Sequence, residues 1–554
     1  MVRVQGGRLA GLLLGTLLVV RPQAQTSSPS SASATQPAAE AVFTAEAMSA
    51  HVRFLADDLL EGRLTGSRGY NLAAAYVAAR FEAMGLKPAV DGGWFQQVPF
   101  AESRLVSNKP PSLTIGGKTF THPADALMGP SFTQPSESLE GEVIFAGFCF
   151  DKRDQGFDDF AGLDVKGKIV ACLTGFPKGT PSDVGAHLAD QKSRMAEARG
   201  AIGVLNVPTI EFFETLPWSK LIEYIDVPAL TWKRAEGTPY VDAPGIRIGA
   251  LLNTAASEAL FTGAPKPLKD VLAEANQPGA KPKGFALRQP VTFERHSQFR
   301  ELQSANVLGV LPGADPAIAN EFVVLMGHLD HVGVNAAKSG DQIFNGAMDN
   351  AAGIAAMLEV ARALAESPKK PRRSILFAAV TGEEQGLLGS AYLAKHPVTP
   401  KGSVVAVVNL DMPVLLYEFV DVVAFGAEHS TLGRIVEQAT ARANVKTSPD
   451  PLPAEGLFTR SDHYNFVKEG VPSVFLMTGF GNDGGKIFGE FLATHYHQPS
   501  DQPDLPFNWA AGAKFARINY LIAREIADQA ERPRWYRDSF FGNTFAEGQP
   551  KVAR

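Results

Sequence analysis

Residues 321–413 decide the fold, because apolar runs of strand length alternate there with short polar turns. The segments read EFVVLMGHLDHVG (321–333), NGAMDNAAG (345–353), RRSILFAAVTGEEQG (372–386) and SVVAVVNLDMP (403–413). In an open parallel α/β sheet, ligands gather beyond the carboxyl ends of the strands, which meet at one edge. The stretch therefore predicts a sheet of this kind with a metal site at that edge.

The turns after these runs carry possible metal ligands. They offer His328 with Asp330, Glu383 with Glu384, and Asp411. Each is weak evidence alone, because a histidine after a strand is usually a surface or core residue and a Glu-Glu pair is usually solvated. Together at the strand ends of one domain, they indicate a shared site.

Two further segments complete the candidate set. Asp349 directly precedes a helix-like segment, where a simple N-cap is the alternative interpretation, and THYHQPSD (494–501) offers His495 or His497. Two imidazoles and three carboxylates suit a pair of divalent ions that share a bridging carboxylate. Glu383 is then left over as a general base, and Asp330 is expected to orient the imidazole of His328.

Composition argues against one class of function. The chain has 554 residues, 45% of them hydrophobic and 20% charged, with a formal net charge of -6. This length exceeds one ordinary domain. The mildly acidic balance, without a basic block, argues against nucleic-acid binding.

The N-terminal residues 1–24 predict a secretory signal peptide. Arg3 and Arg8 precede the apolar run LAGLLLGTLLVV (9–20). A membrane anchor is the alternative, but this run is shorter than the roughly 20 residues of a bilayer span. We expect a secreted or periplasmic protein with no stable membrane anchor after cleavage. The Ser/Ala/Pro-rich residues 25–42 predict a disordered leader.

The rest of the chain predicts an inserted module within a larger α/β domain. Residues 43–124 begin the catalytic domain, 289–535 complete it, and 536–554 form a C-terminal tail. Between them, 125–288 shows short β-like runs with one helical piece, AHLADQKSRMAEARG (186–200). We predict a mixed, mostly parallel sheet with helices on both faces, plus an inserted, mainly-β module.

Cys149 and Cys172 are the only cysteines, and both fall in strand-like runs of this module. Export permits a disulfide between them. The favoured interpretation is two buried thiols that act as small hydrophobic residues. Neither cysteine has a metal or nucleophile pattern around it.

The successive motifs resemble those of one known family. GHLDHVG (327–333), GAMDNAAG (346–353), TGEEQGLLGS (381–390), NLDM (409–412) and YHQPSD (496–501) are similar, in order and residues, to the M28 family of co-catalytic zinc peptidases, which includes the aminopeptidase Y and S types. LADDLLEGRLTGSRG (55–69) resembles the family's N-terminal portion. FAGLDVKGKIV (160–170) and its neighbours resemble a protease-associated (PA) domain, commonly inserted at this point.

The resemblance implies a role for each matching residue. Two Zn²⁺ ions per chain are implied, with Co²⁺ or Mn²⁺ as possible substitutes. The implied metal ligands are His328 and Asp411 for one ion, Glu384 and His497 for the other, and Asp349 bridging both. The implied remaining roles are Glu383 as general base, Tyr496 as oxyanion support, His331 as a supporting residue, and a cis Asp349–Asn350 peptide bond.

The function so implied is hydrolysis of N-terminal residues from peptide substrates. The alternatives are an acidic-dipeptide carboxypeptidase of the same family, a glutaminyl cyclase with one zinc, and a receptor-like relative without metal. A carboxypeptidase for acidic residues needs several cations. Only Arg460, Lys468 and Lys486 lie near the motifs, and Phe-rich loops there favour apolar N-terminal residues.

Overall fold

The computed structural model describes residues 41–222 and 227–554. The predicted signal peptide (1–24) lies outside the described residues, and so does the predicted leader (25–42) up to residue 40. Of the helices in the described ranges, none combines the length and the apolar character that a membrane crossing requires.

The helices are α1 (Ala45–Leu55), α2 (Arg68–Ala83), α3 (Ser182–Asp190), α4 (Lys192–Ala198), α5 (Ile210–Thr215), α6 (Trp218–Leu221), α7 (Thr254–Leu260), α8 (Leu268–Ala275), α9 (Ala352–Glu366), α10 (Leu388–Lys395), α11 (Leu432–Arg442), α12 (His463–Val467), α13 (Gly484–Thr494), α14 (Trp509–Asp528) and α15 (Phe540–Phe545).

The strands are β1 (Lys87–Pro88), β2 (Phe95–Leu105), β3 (Ser112–Ile115), β4 (Lys118–Thr121), β5 (Ala126–Met128), β6 (Ser136–Gly141), β7 (Val143–Phe145), β8 (Asp151–Lys152), β9 (Phe157–Asp158), β10 (Ile169–Leu173), β11 (Gly203–Val207), β12 (Ala229–Trp232), β13 (Ile248–Leu252), β14 (Phe285–Ala286), β15 (Val291–Leu311), β16 (Phe322–His328), β17 (Gly333–Val334), β18 (Ile343–Phe344), β19 (Ser374–Val380), β20 (Val404–Leu410), β21 (Asp421–Phe425), β22 (Lys446–Ser448) and β23 (Ser473–Thr478).

The main sheet is mixed, and its centre is parallel. Its strands follow the order β12-β2-β15-β19-β16-β20-β23-β21-β22. Strands β19, β16, β20 and β23 are parallel neighbours, while β15 and β21 pair antiparallel at either side of them. This confirms the predicted fold class and places the carboxyl ends of four parallel strands at one edge.

The central strands are apolar throughout because helices cover both faces of the sheet. Every residue of β19 (SILFAAV) and β23 (SVFLMT) is buried. Helices α1, α9 and α14 share one large hydrophobic core with the sheet, and Leu393 of α10 contributes to the core on the opposite face. Helix α14 begins at the N-cap Asn508, whose side chain accepts the N–H of Ala511 at 2.9 Å.

A second sheet lies within the segment predicted as a module. Its order is β14-β7-β10-β11-β13-β5, and β7, β10, β11 and β13 are parallel. The long strand β15 belongs to both regions, because its first residues pair with β3 and β6 and its last with β2 and β19. The boundaries at 125 and 288 stay predictions, although the second core also takes in Leu113 and Phe293 beyond them.

The module region contains more helix than the sequence predicts. The predicted helical piece at 186–200 corresponds to α3 and α4, and the structure adds α5 to α8. These four helices span only four to eight residues each, so no long apolar stripe marks them. Local N-caps set some of their starts, as Asn253 does when it accepts the N–H of Ala256.

Cys149 and Cys172 form a disulfide, which corrects the favoured interpretation of two buried thiols. Cys149 follows β7 and Cys172 lies in β10, and these strands are parallel neighbours. Their Cα atoms are 5.4 Å apart, within the span of a disulfide. This strand pairing brings together two cysteines that are 23 residues apart, and their local sequence does not reveal it.

The segment after residue 535, predicted as a tail, folds onto the body of the chain. It contains α15, whose Phe541 is fully buried. The ring of Phe541 lies 4.9 Å from that of His429 and 5.0 Å from that of Phe458. Apolar packing thus extends the ordered structure almost to the C-terminus.

Candidate metal centre

The strand ends bring the sequence motifs to one place. His328 is the last residue of β16, Glu383 comes three residues after β19 ends at Val380, and Asp411 directly follows Leu410 of β20. These strands are parallel neighbours, with His328 paired to Val380 in register. Parallel strands end at a common edge, so the three side chains converge there.

The first group of candidate ligands surrounds His328. Its Nε2 lies 3.1 Å from Asp411 Oδ1 and 3.2 Å from Asp349 Oδ1, and all three residues are buried. Ligand atoms about 2.0–2.1 Å from a tetrahedral zinc lie roughly 3.3 Å from one another. The spacing of this group therefore fits one metal ion.

The second group surrounds His497. Its Nε2 lies 3.2 Å from Asp349 Oδ2 and 3.0 Å from Glu384 Oε2. Asp349 thus turns one carboxylate oxygen to each imidazole, which is the arrangement of a carboxylate that bridges two ions. The two nitrogen and three carboxylate donors suit Zn²⁺, so the residues present fit a metal pair.

The structure distinguishes the two histidines of THYHQPSD. His495 Nδ1 contacts the hydroxyl of Ser500 at 2.9 Å, on the exposed side of the segment. His497 instead lies at the carboxylates and has a φ of 52°, in the left-handed region. A side-chain-bearing residue held there is uncommon and typical of functional sites.

The electrostatics of the groups follow from their burial and pairing. Burial lowers the pKa of His328, but Glu383, Asp411 and Asp349 together raise it well above its usual value. Burial raises the pKa of Asp349, but hydrogen bonds from His328 and His497 bring it well below its usual value. The imidazoles and carboxylates therefore hold opposite charges, and a metal cation can replace the imidazole protons.

Glu383 lies beside the two groups of candidate ligands but is not a member of either. Its carboxylate is within 4.8 Å of ligand atoms of His328 and Glu384. Burial, and then the carboxylates of Asp411 and Glu384, raise the pKa of Glu383 well above its usual value, while His328 opposes them. A carboxylate that holds a proton readily is suited to accept one from water.

Asp330 supports the site in a different way from the one expected. Its backbone carbonyl, not its carboxylate, contacts His328 Nδ1 at 3.1 Å. The carboxylate accepts the N–H of Glu383 at 3.2 Å and the hydroxyl of Thr65 at 3.1 Å. The expectation that the Asp330 side chain orients the imidazole is thus corrected, because the strand geometry turns the side chain toward the neighbouring loop.

His331 and Tyr496 flank the groups. His331 Nδ1 contacts Glu384 Oε1 at 2.5 Å, the oxygen that does not face His497. The Tyr496 ring stacks on the His497 ring with centroids 4.0 Å apart. Burial, with Asp349 and Glu384, raises the pKa of Tyr496 well above its usual value, so its hydroxyl keeps its proton and can donate it in a hydrogen bond.

Hydrogen bonds hold the loop of Asp349 in place. The Asp349–Asn350 peptide bond is cis, as the family resemblance predicts. The Asn350 amide donates to Leu410 O at 3.0 Å and its Oδ1 accepts the N–H of Met412 at 3.1 Å, which ties the loop to the end of β20. Asp501 accepts the N–H of Asp349 at 3.0 Å.

The sequence motifs do not predict three buried polar residues near the candidate ligands. Arg63 is buried and donates to the carbonyls of Leu329 at 2.9 Å and Gly346 at 3.0 Å, beneath the site. Ser461 donates to Asp411 Oδ2 at 2.5 Å. Asp462 is buried, and burial raises its pKa to about 7. Their only sequence signals are the polar segments EGR and RSDH, which carry no ligand spacing.

Comparison with known proteins identifies the domain. Residues 306–523 match the family model described as Peptidase family M28. The aminopeptidase NAALADL1 of Mus musculus is 33% identical over 144 residues, which cover 25% of this chain and 17% of that protein. A probable zinc metalloprotease of Pyrenophora tritici-repentis is 46% identical over 67 residues, which cover 12% of this chain and 15% of that protein. The chain thus spans less than a fifth of the length of either relative.

The fold is also found among solved structures. The aminopeptidase from Aneurinibacillus sp. strain AM-1 superposes with a TM-score of 0.52 and 19% identity, covering 88% of this chain and 95% of that one. The matched segment 306–523 contains both groups of candidate ligands, from His328 to His497. Residues 306–523 are therefore a domain of peptidase family M28.

Proposed function

We propose that the chain is an exported di-zinc aminopeptidase, which hydrolyses N-terminal residues from peptides. One observation carries the proposal: Asp349 presents one oxygen to His328 and the other to His497, with Glu383 adjacent. A single shared carboxylate between two imidazole groups is what a co-catalytic metal pair needs. Export rests on residues 1–24 alone.

The proposed ligands follow the two groups. His328 and Asp411 would hold one zinc, Glu384 and His497 would hold the other, and Asp349 would be the ligand shared by both. When bound, the ions lower the pKa of water and polarise the scissile carbonyl. Co²⁺ or Mn²⁺ can substitute, because both accept the same nitrogen and oxygen donors.

Glu383 is the proposed general base. It takes the proton of the attacking water and returns it to the leaving amine, so the base is regenerated in each turnover. The Tyr496 hydroxyl, protonated at neutral pH, is the proposed hydrogen-bond donor to the oxyanion of the tetrahedral intermediate. Asp330 positions Glu383 through the backbone N–H that it accepts.

The distribution of cations favours an aminopeptidase over the acidic-dipeptide carboxypeptidase. Arg460 is paired with Glu455 at 2.9 Å and half-exposed, and Lys486 is exposed beside Glu490. Because these two cations are each beside a carboxylate, Lys468 is the remaining cation of the three near the motifs, and one lysine is fewer than the several cations that would hold both carboxylates of an acidic C-terminal residue. The name of the mouse relative, an aminopeptidase, agrees with this choice.

A glutaminyl cyclase is the second alternative. A cyclase keeps one zinc, whereas five candidate ligands in two groups support two ions. Elemental analysis of the purified chain separates the cases: two zinc per chain for the peptidase, and one for the cyclase.

The module at 125–288 is proposed to be a PA domain that covers the site and controls substrate access. Its helix α3 reaches the peptidase domain, where His187 Nδ1 meets the Tyr464 hydroxyl at 2.5 Å. Replacing residues 125–285 by a short linker should change substrate range or stability and leave the metal content at two. Loss of metal in that variant would contradict this role.

Hydrolysis of leucyl-anilide tests the main proposal. The mature chain should cleave leucyl-anilide and lose this activity with a chelator, and Glu383→Gln serves as the inactive control. The N-acetylated compound should resist cleavage, because an aminopeptidase recognises the free amine. Cleavage of the blocked compound at a similar rate would reject the aminopeptidase proposal.

A further inference from the structure

A cavity of about 770 Å³ adjoins the candidate metal centre, between the module region and the peptidase domain. One wall is the loop at 386–388, which directly continues the turn of Glu383 and Glu384. Another wall includes Arg460, next to Ser461, which donates to Asp411. The cavity therefore shares two loops with the site and is large enough for a short peptide.

Lys468 differs from the other cations that line this cavity. The others are paired with carboxylates: Arg194 with Asp242, Arg460 with Glu455, and Lys395 with Glu469. Across the two described ranges, Lys468 forms no ion pair, and its Nζ lies 5.2 Å from the centre of the Tyr464 ring. Burial lowers the pKa of Lys468, and attraction to the carboxylates of Asp190 and Asp242 opposes this shift.

This arrangement leaves an ammonium group available to a ligand. A partly buried charge without an ion-pair partner is unfavourable, and the contact with the aromatic face of Tyr464 offsets only part of this cost. An incoming carboxylate would supply the missing partner. The cavity also has an aromatic part, since Trp232 and Tyr240 line it and stack with ring centroids 4.3 Å apart.

The position of Glu383 indicates which part of the substrate enters. Glu383 returns its proton to the leaving amine, so the leaving peptide lies beside the loop that carries Glu383. The cavity wall at 386–388 continues from that loop. The cavity is thus on the side of the leaving peptide.

We propose that Lys468 binds a carboxylate of the leaving peptide, so that the enzyme prefers short peptides with a free C-terminus over longer or amidated ones. This inference rests on the proposed aminopeptidase function. The cavity, of about 770 Å³, has the volume of a site for a small ligand such as a short leaving peptide. An acidic side chain near the new N-terminus would present the same carboxylate.

The test compares Leu-Ala-Ala with its C-terminal amide. The free acid should have a kcat/KM about 10–100-fold higher, because a hydrogen bond to a charged group contributes about 1.5–3 kcal/mol. Lys468→Met keeps the apolar part of the side chain. In this variant, the ratio of kcat/KM for the free acid to kcat/KM for the amide should fall to about one. Lys486→Met, which removes an exposed cation beside Glu490 that is not among the residues lining this cavity, should keep the wild-type ratio of the two kcat/KM values.

A third substrate shows whether the carboxylate must be at the C-terminus. Leu-Glu-Ala-amide tests a side-chain carboxylate. If its kcat/KM exceeds that of Leu-Ala-Ala-amide as much as the free acid does, and Lys468→Met abolishes this increase, Lys468 binds the carboxylate of the side chain. Equal rates on acid and amide by the wild type, or an unchanged ratio in Lys468→Met, would overturn the inference.

A binding measurement separates this inference from the proposed function. By calorimetry, Ala-Ala should bind the wild type at least tenfold more tightly than Ala-Ala-amide, and Lys468→Met should lose the difference. This result stands even if the chain fails to cleave leucyl-anilide, which would reject only the proposed function. Equal binding of the two dipeptides would reject the carboxylate site itself.

Discussion

The carboxylate of Asp501 accepts the backbone N–H of Asp349 at 3.0 Å. Its other oxygen accepts the N–H of Met348 at 2.9 Å, and both residues of the contact are buried. Asp501 therefore fixes the backbone from which Asp349 reaches both imidazoles. The residue is not a proposed ligand, yet the position of the shared carboxylate depends on it.

Asp501→Asn should weaken metal binding about 10–100-fold, the usual cost of losing a contact that orients a ligand. The amide would turn an NH₂ group toward one of the two backbone N–H groups, and the loop would shift. Competition with a chromogenic chelator measures the change. Asp504→Asn, an exposed acid three residues away, is the control and should bind metal like the wild type.

Glu383→Gln and Glu384→Gln should separate base from ligand. Glu383→Gln should retain two zinc ions and lose about 10²–10⁴-fold in kcat, since general-base catalysis contributes roughly that factor. Glu384→Gln should lose one ion, because Oε2 of Glu384 is within 3.0 Å of His497 Nε2. Metal analysis and kcat are measured on the same samples, and equal metal loss in both variants would contradict the assignment.

Much of the site could be predicted from the sequence because the strand ends determine it. His328, Glu383 and Asp411 each follow an apolar run, and parallel pairing brings such positions to one edge. The spacing of residues alone does not distinguish His497 from His495 as the ligand. Only the resemblance to the family motif predicts His497. The pattern of apolar runs thus predicts the fold, whereas the family motif predicts the role of each residue.

Long-range packing could not be predicted in this way. Arg63 lies 266 residues before the carbonyl of Leu329 that it binds, and no local pattern marks such a contact. The same holds for the disulfide of Cys149 and Cys172, which depends on the pairing of β7 with β10. The Asp330 carboxylate was expected at the imidazole, but the direction of its side chain depends on the loop of Glu383 beside it.

Lys192 should make the stability of the chain depend on alkaline pH. It is buried and donates to the carbonyls of Leu173 at 2.5 Å and Gly175 at 2.7 Å, and burial lowers its pKa from 10.5 to about 7, with Asp159 opposing. Between those values the unfolded chain binds one more proton than the folded chain. The free energy of unfolding should therefore rise with pH in this window, by about 1.4 kcal/mol per unit from this group.

The Lys192 effect is measured as a difference between variants. Tm is recorded from pH 7 to 10 for the wild type, Lys192→Met and Lys166→Met, the last an exposed lysine. The wild type and Lys166→Met should share the upward slope that Lys192→Met lacks. Parallel curves for all three proteins would show that Lys192 stays charged in the folded state.

Reduction of the disulfide should destabilise the module and spare the metal centre. The bridge closes a loop of 23 residues in sequence separation, for which chain entropy gives about 3 kcal/mol. Cys149→Ala with Cys172→Ala should lower the denaturant midpoint, while two zinc ions remain bound. Addition of a reductant should lower the denaturant midpoint of the wild type to that of the double variant. The midpoint of the double variant should not change.

The contact between His187 and Tyr464 predicts how firmly the module is held. The His187 Nδ1 and the Tyr464 hydroxyl meet at 2.5 Å in a buried contact between α3 and α12, and burial lowers the pKa of His187 to about 4. The neutral imidazole therefore depends on this hydroxyl as its partner. Tyr464→Phe leaves a buried nitrogen unpaired, which costs about 1–3 kcal/mol.

Tyr464→Phe should thus raise amide hydrogen exchange in α3 and lower Tm, with both metal ions retained. Tyr520→Phe is the matched control, because the Tyr520 ring packs against Phe43 far along the chain from α3. If the module covers the site, the looser variant should also cleave longer peptides faster relative to leucyl-anilide. Unchanged exchange in α3 would mean that other contacts of the helix, such as the one between Asp183 and His429 at 2.5 Å, hold it without the tyrosine.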